Sequence, residues 1–96
     1  MKVRMQRNTL FRMKVATWNV NGVRPRIPNL CRWLTDHRPS VLCLQELRCP
    51  TDKFPQPELQ TLGYESFVFG QSRVNGVAIL STEPVQSYNS VPLNSE

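Results

Sequence analysis

Val15-Ala16-Thr17-Trp18-Asn19-Val20-Asn21-Gly22-Val23-Arg24, followed by Val41-Leu42-Cys43-Leu44-Gln45-Glu46, is the stretch of sequence whose reading decides the fold. Each half is an apolar run that ends abruptly in polar residues. Lys14–Trp18 is short and apolar, with β-branched and aromatic members, and predicts a strand. Val41–Leu44 is continuously apolar over a strand's length, the pattern of a strand buried on both faces. Between them, Asn21-Gly22 signals a turn, and Pro25 and Pro28 bracket a helix start, because proline is tolerated in the first turn. Ile27, Leu30, Cys31 and Leu34 then recur at the spacing of one helical face, with Arg26, Asn29, Arg32 and Asp36 on the other. Pro39 stops this helix near His37 and Arg38. A strand–helix–strand unit of this length lets its two strands run parallel with a right-handed crossover. Open α/β sheets bind ligands beyond the carboxyl ends of their strands. Asn19 and Glu46 occupy those ends.

Outward from this unit, Leu47 to Pro57 reads as a polar, proline-rich loop. A short helix over Pro57–Leu62 follows, capped by Gly63. Tyr64–Phe69 and Val74–Ser81 read as strands joined by a turn over Gly70–Arg73, and the assignment of the tail from Thr82 to Glu96 stays open. The 96 residues suffice for one domain or part of one. No internal repeat or low-complexity segment interrupts them. Nothing approaches the roughly 18 consecutive apolar residues of a membrane span, and the N-terminus lacks the apolar region of a secretory signal. The expected setting is cytoplasmic, without a membrane. Three cysteines, an odd number with no C-x-x-C pair, fit small buried hydrophobes in a reducing compartment.

The net charge of +5 resembles a nucleic-acid footprint, but it is unevenly spread. Lys2, Arg4, Arg7 and Arg12 precede Met13 without one acid among them, whereas the rest of the chain sets eight positive residues against seven negative. Residues 1–12 are therefore expected to form a basic, disordered leader, with Met13-Lys14 a natural start. Two other readings of the leader stay open: an organelle-targeting tail, and a flexible basic arm that attracts phosphates.

Glu46 directly after a strand suits Mg²⁺, which keeps several waters and is often held by one or two carboxylates plus substrate phosphate. It also suits an ordinary solvated strand end. Asn19 and Asn21 alternate about Val20; such amides hold phosphate oxygens, orient carboxylates or ligate cations, and they also build turns. Arg24 and Arg26 are placed either to meet phosphates or to stay on the surface. His37, the single histidine, sits at a helix C-terminus where its partial charge complements the dipole, and it reads as structural.

Taken together, Met13 to Arg24, Leu44-Gln45-Glu46, Phe54-Pro55, Leu62-Gly63-Tyr64 and Asn75-Gly76-Val77-Ala78-Ile79-Leu80-Ser81 resemble the exodeoxyribonuclease III family of the endonuclease/exonuclease/phosphatase superfamily. The resemblance runs from Met13 to about Pro84. It implies an α/β fold, the N-terminal part of a four-layer sandwich in which two facing mixed sheets carry outer helices, with residues 13–96 supplying only an incomplete portion. It implies Mg²⁺- or Mn²⁺-dependent hydrolysis of phosphodiesters in double-stranded DNA, both 3′-to-5′ exonuclease action and incision at abasic sites. A monomer is expected for the full-length enzyme. Glu46 matches the metal-binding glutamate, and Asn19 the asparagine beside it, so these two are the expected catalytic and metal residues. Arg24, Arg73 and Asn75 are the expected DNA contacts. Where the family often reads Lys-x-Tyr-Asn-Gly-Val-Ala-Ile, this chain has Ser72-Arg73-Val74-Asn75-Gly76, with Arg73 offering the cation one place along. The family's catalytic tyrosine, Asp-x-Asn pair and terminal Asp-His pair have no counterpart here, so the 96 residues alone are expected to be inactive. Two alternatives are a non-catalytic DNA-binding or interaction remnant, and a small-phosphoester phosphatase of the same superfamily.

Overall fold

The structure, a computed structural model, describes residues 3–8, 13–70 and 75–85. Five strands, β1 (Val3–Asn8), β2 (Met13–Asn19), β3 (Val41–Gln45), β4 (Glu65–Gly70) and β5 (Gly76–Ser81), form one mixed sheet in the order β1-β2-β3-β5-β4. Among the described residues two α-helices, α1 (Ile27–His37) and α2 (Gln56–Thr61), accompany it, with 3-10 turns at Arg24–Arg26 and Thr51–Lys53. β2 and β3 are parallel, as the crossover length implies, and the other three pairings are antiparallel. This is the mixed α/β sheet expected for the N-terminal part of the sandwich.

Register builds the core in rows. Ala16, Leu42 and Leu80 pair across β2, β3 and β5, and Trp18, Leu44 and Ala78 form the next row. All six are buried, in one cluster with Leu30 and Leu34 of α1 and Leu59 of α2. Both helices therefore cover the same face. Each fully buried leucine contributes on the order of 1.5–3 kcal/mol through its removal from water. α1 ends where expected: Arg38 turns left-handed at φ 45°, and its N–H closes on the Leu34 carbonyl at 2.9 Å. α2 gives way to Gly63, whose φ of 93° is the backbone that the capping residue was expected to supply.

Two expectations are corrected. Val3–Asn8, within the expected disordered leader, forms edge strand β1, paired antiparallel with β2 from Val3↔Trp18 to Asn8↔Met13. β3 is buried on one face rather than two: Leu42 and Leu44 are enclosed, but Val41, Cys43 and Gln45 are only partly so. The uncovered face continues across β5, where Val77 and Ile79 are 46% and 38% exposed.

Candidate functional site

β2 and β3 run side by side to a common end, where Asn19 is paired in register with Gln45. Beyond it the two chains stay in contact. The N–H of Val20 bonds the Gln45 carbonyl at 3.0 Å, that of Gly22 the Glu46 carbonyl at 2.8 Å, and that of Val23 the Leu47 carbonyl at 2.9 Å. On the other side, Leu47 and Arg48 donate their N–H groups to the carbonyls of Gly76 and Asn75, both at 3.1 Å. Residues 45–48 are thus clamped between the segment after β2 and the start of β5. Gly22 allows the first of these segments to turn, at φ 96°.

The clamp holds an uncommon backbone. Asn21, Glu46 and Arg48 have φ of 50°, 55° and 53°. The left-handed region costs an L-residue about 1–2 kcal/mol, and such residues persist where surrounding bonds over-determine them. At Glu46 the result is a redirected side chain. Strict alternation would send its side chain to the side of Leu42 and Leu44. The left-handed residue breaks that alternation, and the carboxylate meets Asn19 instead.

Asn19 Nδ2 donates to Glu46 Oε2 at 2.6 Å, and Asn19 Oδ1 accepts the N–H of Asn21 at 3.2 Å. Asn19 is therefore placed as a donor that orients the carboxylate, while its carbonyl oxygen also accepts from the turn. Arg48 Nη2 reaches Glu46 Oε1 at 3.3 Å. Nearby, Gln45 Nε2 donates to Thr17 Oγ1 at 2.7 Å and ties the two strands together one step before the rim.

The remaining expected residues divide. Arg24 is exposed directly after the clamped Val23, and Asn75 is exposed with its carbonyl in the clamp, so both border the rim. Arg73 lies outside the described residues. His37 is at the opposite end of the molecule, where its carbonyl accepts Lys14 Nζ from the start of β2. A hollow of about 420 Å³ bordered by Tyr64, Glu65, Ser81 and Glu83 is likewise remote, since Ser81 pairs with Val41 at the start of β3. Arg48 and the Thr17–Gln45 bond were missed from sequence; the Glu46-x-Arg48 spacing was the available signal for the first. Around Cys49, burial pushes the thiol pKa up, and the Arg24 charge partly opposes that.

Chemically, the rim offers hard oxygen donors at an accessible position, with the Glu46 side chain 39% exposed. That donor chemistry fits a hydrated Mg²⁺ or Mn²⁺ better than a soft or tetrahedral site would. It supplies one carboxylate: among the described residues no group of three or more His, Cys, Asp or Glu side chains could hold a metal. Among the same residues, no helix is long and apolar enough to cross a membrane.

Known proteins are similar to this chain in sequence and in fold. Exodeoxyribonuclease III of Haemophilus influenzae is 34% identical over 85 residues, which span 88% of this chain and 32% of the relative. An AP endonuclease from Archaeoglobus fulgidus superposes with a TM-score of 0.73 at 39% identity, covering 75% of this chain and 28% of that one. The 3′ phosphatase NExo from Neisseria, solved with a product DNA hairpin, gives a TM-score of 0.74 at 44% identity over 77% of this chain and 29% of its own. The chain thus spans about a third of the length of these relatives. Residues 16–95 match the model of the endonuclease/exonuclease/phosphatase family, and the chain belongs to that family.

Proposed function

We propose that this chain carries the first half of a DNA-repair nuclease site: metal-dependent phosphodiester hydrolysis on double-stranded DNA, with 3′-to-5′ exonuclease action and incision at abasic sites. The observation that carries this reading is the Asn19–Glu46 contact on a clamped strand-end rim. Glu46 would hold Mg²⁺ or Mn²⁺. When bound, such a cation polarises the scissile phosphate and stabilises its developing charge. Asn19 fixes the carboxylate's direction, while Arg24 and Asn75, with Arg73 beyond the described residues, would meet DNA phosphates. The site acts in the cytoplasm, and the complete enzyme works as a monomer.

Glu46 alone positions no water and protonates no leaving group. Residues 1–96 by themselves should therefore bind an abasic-site duplex without cutting it. The test is fluorescence anisotropy of a labelled abasic-site duplex with the purified chain, in EDTA and then in Mg²⁺ or Mn²⁺. Binding that strengthens with the cation and loses this response in Glu46→Ala supports the reading. Salt-sensitive binding indifferent to both would replace it with a non-catalytic DNA-binding role. Release of inorganic phosphate from small phosphoesters would replace it with a phosphatase.

A further inference from the structure

Each Glu46 carboxylate oxygen already has a protein partner, and the two partners are unequal. Asn19 holds Oε2 at 2.6 Å, whereas Arg48 approaches Oε1 only to 3.3 Å. Charge-assisted N–H···O bonds usually close to about 2.7–2.9 Å, so the second contact is the looser one. The Arg48 side chain is also 47% exposed and can move into water without disturbing the core. Its backbone cannot follow, because the Arg48 N–H is bonded to Asn75 and Leu47 to Gly76. Glu46 and Arg48 share left-handed backbones two residues apart, which brings their side chains together.

We propose that Arg48 is a displaceable counter-ion of the cation site. Its guanidinium neutralises Glu46 while no divalent cation is bound, and it leaves Oε1 when one arrives. Asn19 is the fixed partner that keeps the carboxylate aimed throughout. The proposal rests on the reading that Glu46 holds the cation. Arg48 is thus a positioning residue that sets the affinity and salt dependence of cation binding, because a full positive charge beside the ligand opposes a second one.

The test is Mn²⁺ titration of the 96-residue chain at low ionic strength, with free Mn²⁺ read by electron paramagnetic resonance. Wild type is compared with Arg48→Gln, Arg48→Lys and Glu46→Gln, each checked for fold by circular dichroism. Arg48→Gln should bind about threefold tighter, the scale of an exposed ion pair, and Arg48→Lys should stay near wild type. Arg48→Gln binding no tighter than wild type, while Glu46→Gln loses Mn²⁺, overturns the Arg48 proposal alone. Glu46→Gln binding as well as wild type overturns the cation reading and this proposal with it. A second measurement needs no variant. The Arg48 Nε–Hε NMR signal of the unsubstituted chain should shift on Mg²⁺ addition; a stationary signal while Glu46 responds also overturns the proposal.

Discussion

Asn19 Nδ2 lies 2.6 Å from Glu46 Oε2, joining residues 27 positions apart at the shared end of two parallel strands. The bond makes Asn19 an orienting group, and substitutions at this position separate that role from ligation. Asn19→Ala removes the donor and should cost about 1 kcal/mol, the usual net value of one hydrogen bond at an accessible site. Its stability in urea should not recover on adding Mg²⁺. Asn19→Asp places two carboxylates together, and like charges at that distance oppose ionisation of both. That variant should unfold at lower urea concentration than wild type in EDTA and regain the loss in Mg²⁺. Equal denaturation midpoints for Asn19→Asp with and without the cation would remove Glu46 from the cation reading.

The left-handed backbone of Glu46 sets stability against function. Glycine takes φ 55° without the steric cost that a side chain meets, though its unfolded state is more disordered. Relief of about 1–2 kcal/mol of backbone cost is offset by the lost Asn19 hydrogen bond and the freer unfolded chain, so Glu46→Gly should keep stability within about 1 kcal/mol of wild type. It should abolish cation-dependent DNA binding in the same sample. A large loss of stability instead would show that the Glu46 side chain, rather than the backbone clamp, holds the rim together.

Much of this rim was legible because its signals are local. Prolines 25, 28 and 39 bounded α1, and apolar runs ending at Asn19 and Glu46 placed both strand ends. Other features depended on partners that sequence order hides. The burial of β3 on a single face is set by which side the helices cover, and its apolar run carries no sign of that. The left-handed Glu46 and Arg48 lack the glycine that would announce them; the clamp from Gly22, Val23, Asn75 and Gly76 imposes them. β1 was obscured by the charge of its segment. Val3 and Met5 nonetheless alternate with Arg4 and Gln6, and charge along an edge strand is a common guard against unwanted pairing.

Alkaline pH should weaken the fold, and Tyr64 is the group to follow. Its buried hydroxyl donates to the Pro39 carbonyl at 2.6 Å. Burial raises its pKa above the ordinary 10.0, and the Arg38 guanidinium 5.1 Å from its ring centroid opposes part of that. Burial likewise raises the thiols of Cys31, Cys43 and Cys49 above 9.0. A raised folded-state pKa means that the native chain binds more protons than the unfolded one as pH climbs. The stabilisation is complete below the unfolded values and is lost as pH rises through the folded ones. Urea midpoints should hold steady up to about pH 9 and then fall. Tyr64→Phe leaves the Pro39 carbonyl without its buried donor and should cost about 1–3 kcal/mol near neutrality. It should also flatten the decline above pH 10; an unchanged alkaline slope would discount Tyr64 as its source.

The uncovered sheet face should govern how the 96-residue chain behaves alone. Val77 and Ile79 stand exposed on it, in register rows that also hold Gln45 with Phe69 and Cys43 with Phe67. Adjacent apolar side chains of this kind favour association, because contact removes their surface from water at about 25 cal/mol per Å². Sedimentation velocity of the wild-type chain should show association that grows with concentration. Val77→Thr with Ile79→Thr keeps β-branched residues suited to a strand while adding hydroxyls to the open face. The double variant should shift the population toward monomer without changing the circular dichroism spectrum, since neither side chain belongs to the buried cluster with Leu42, Leu44 and Leu80. A wild-type chain that stays monomeric and unfolds cooperatively would show that this face tolerates water, and the helix-covered core would then be sufficient on its own.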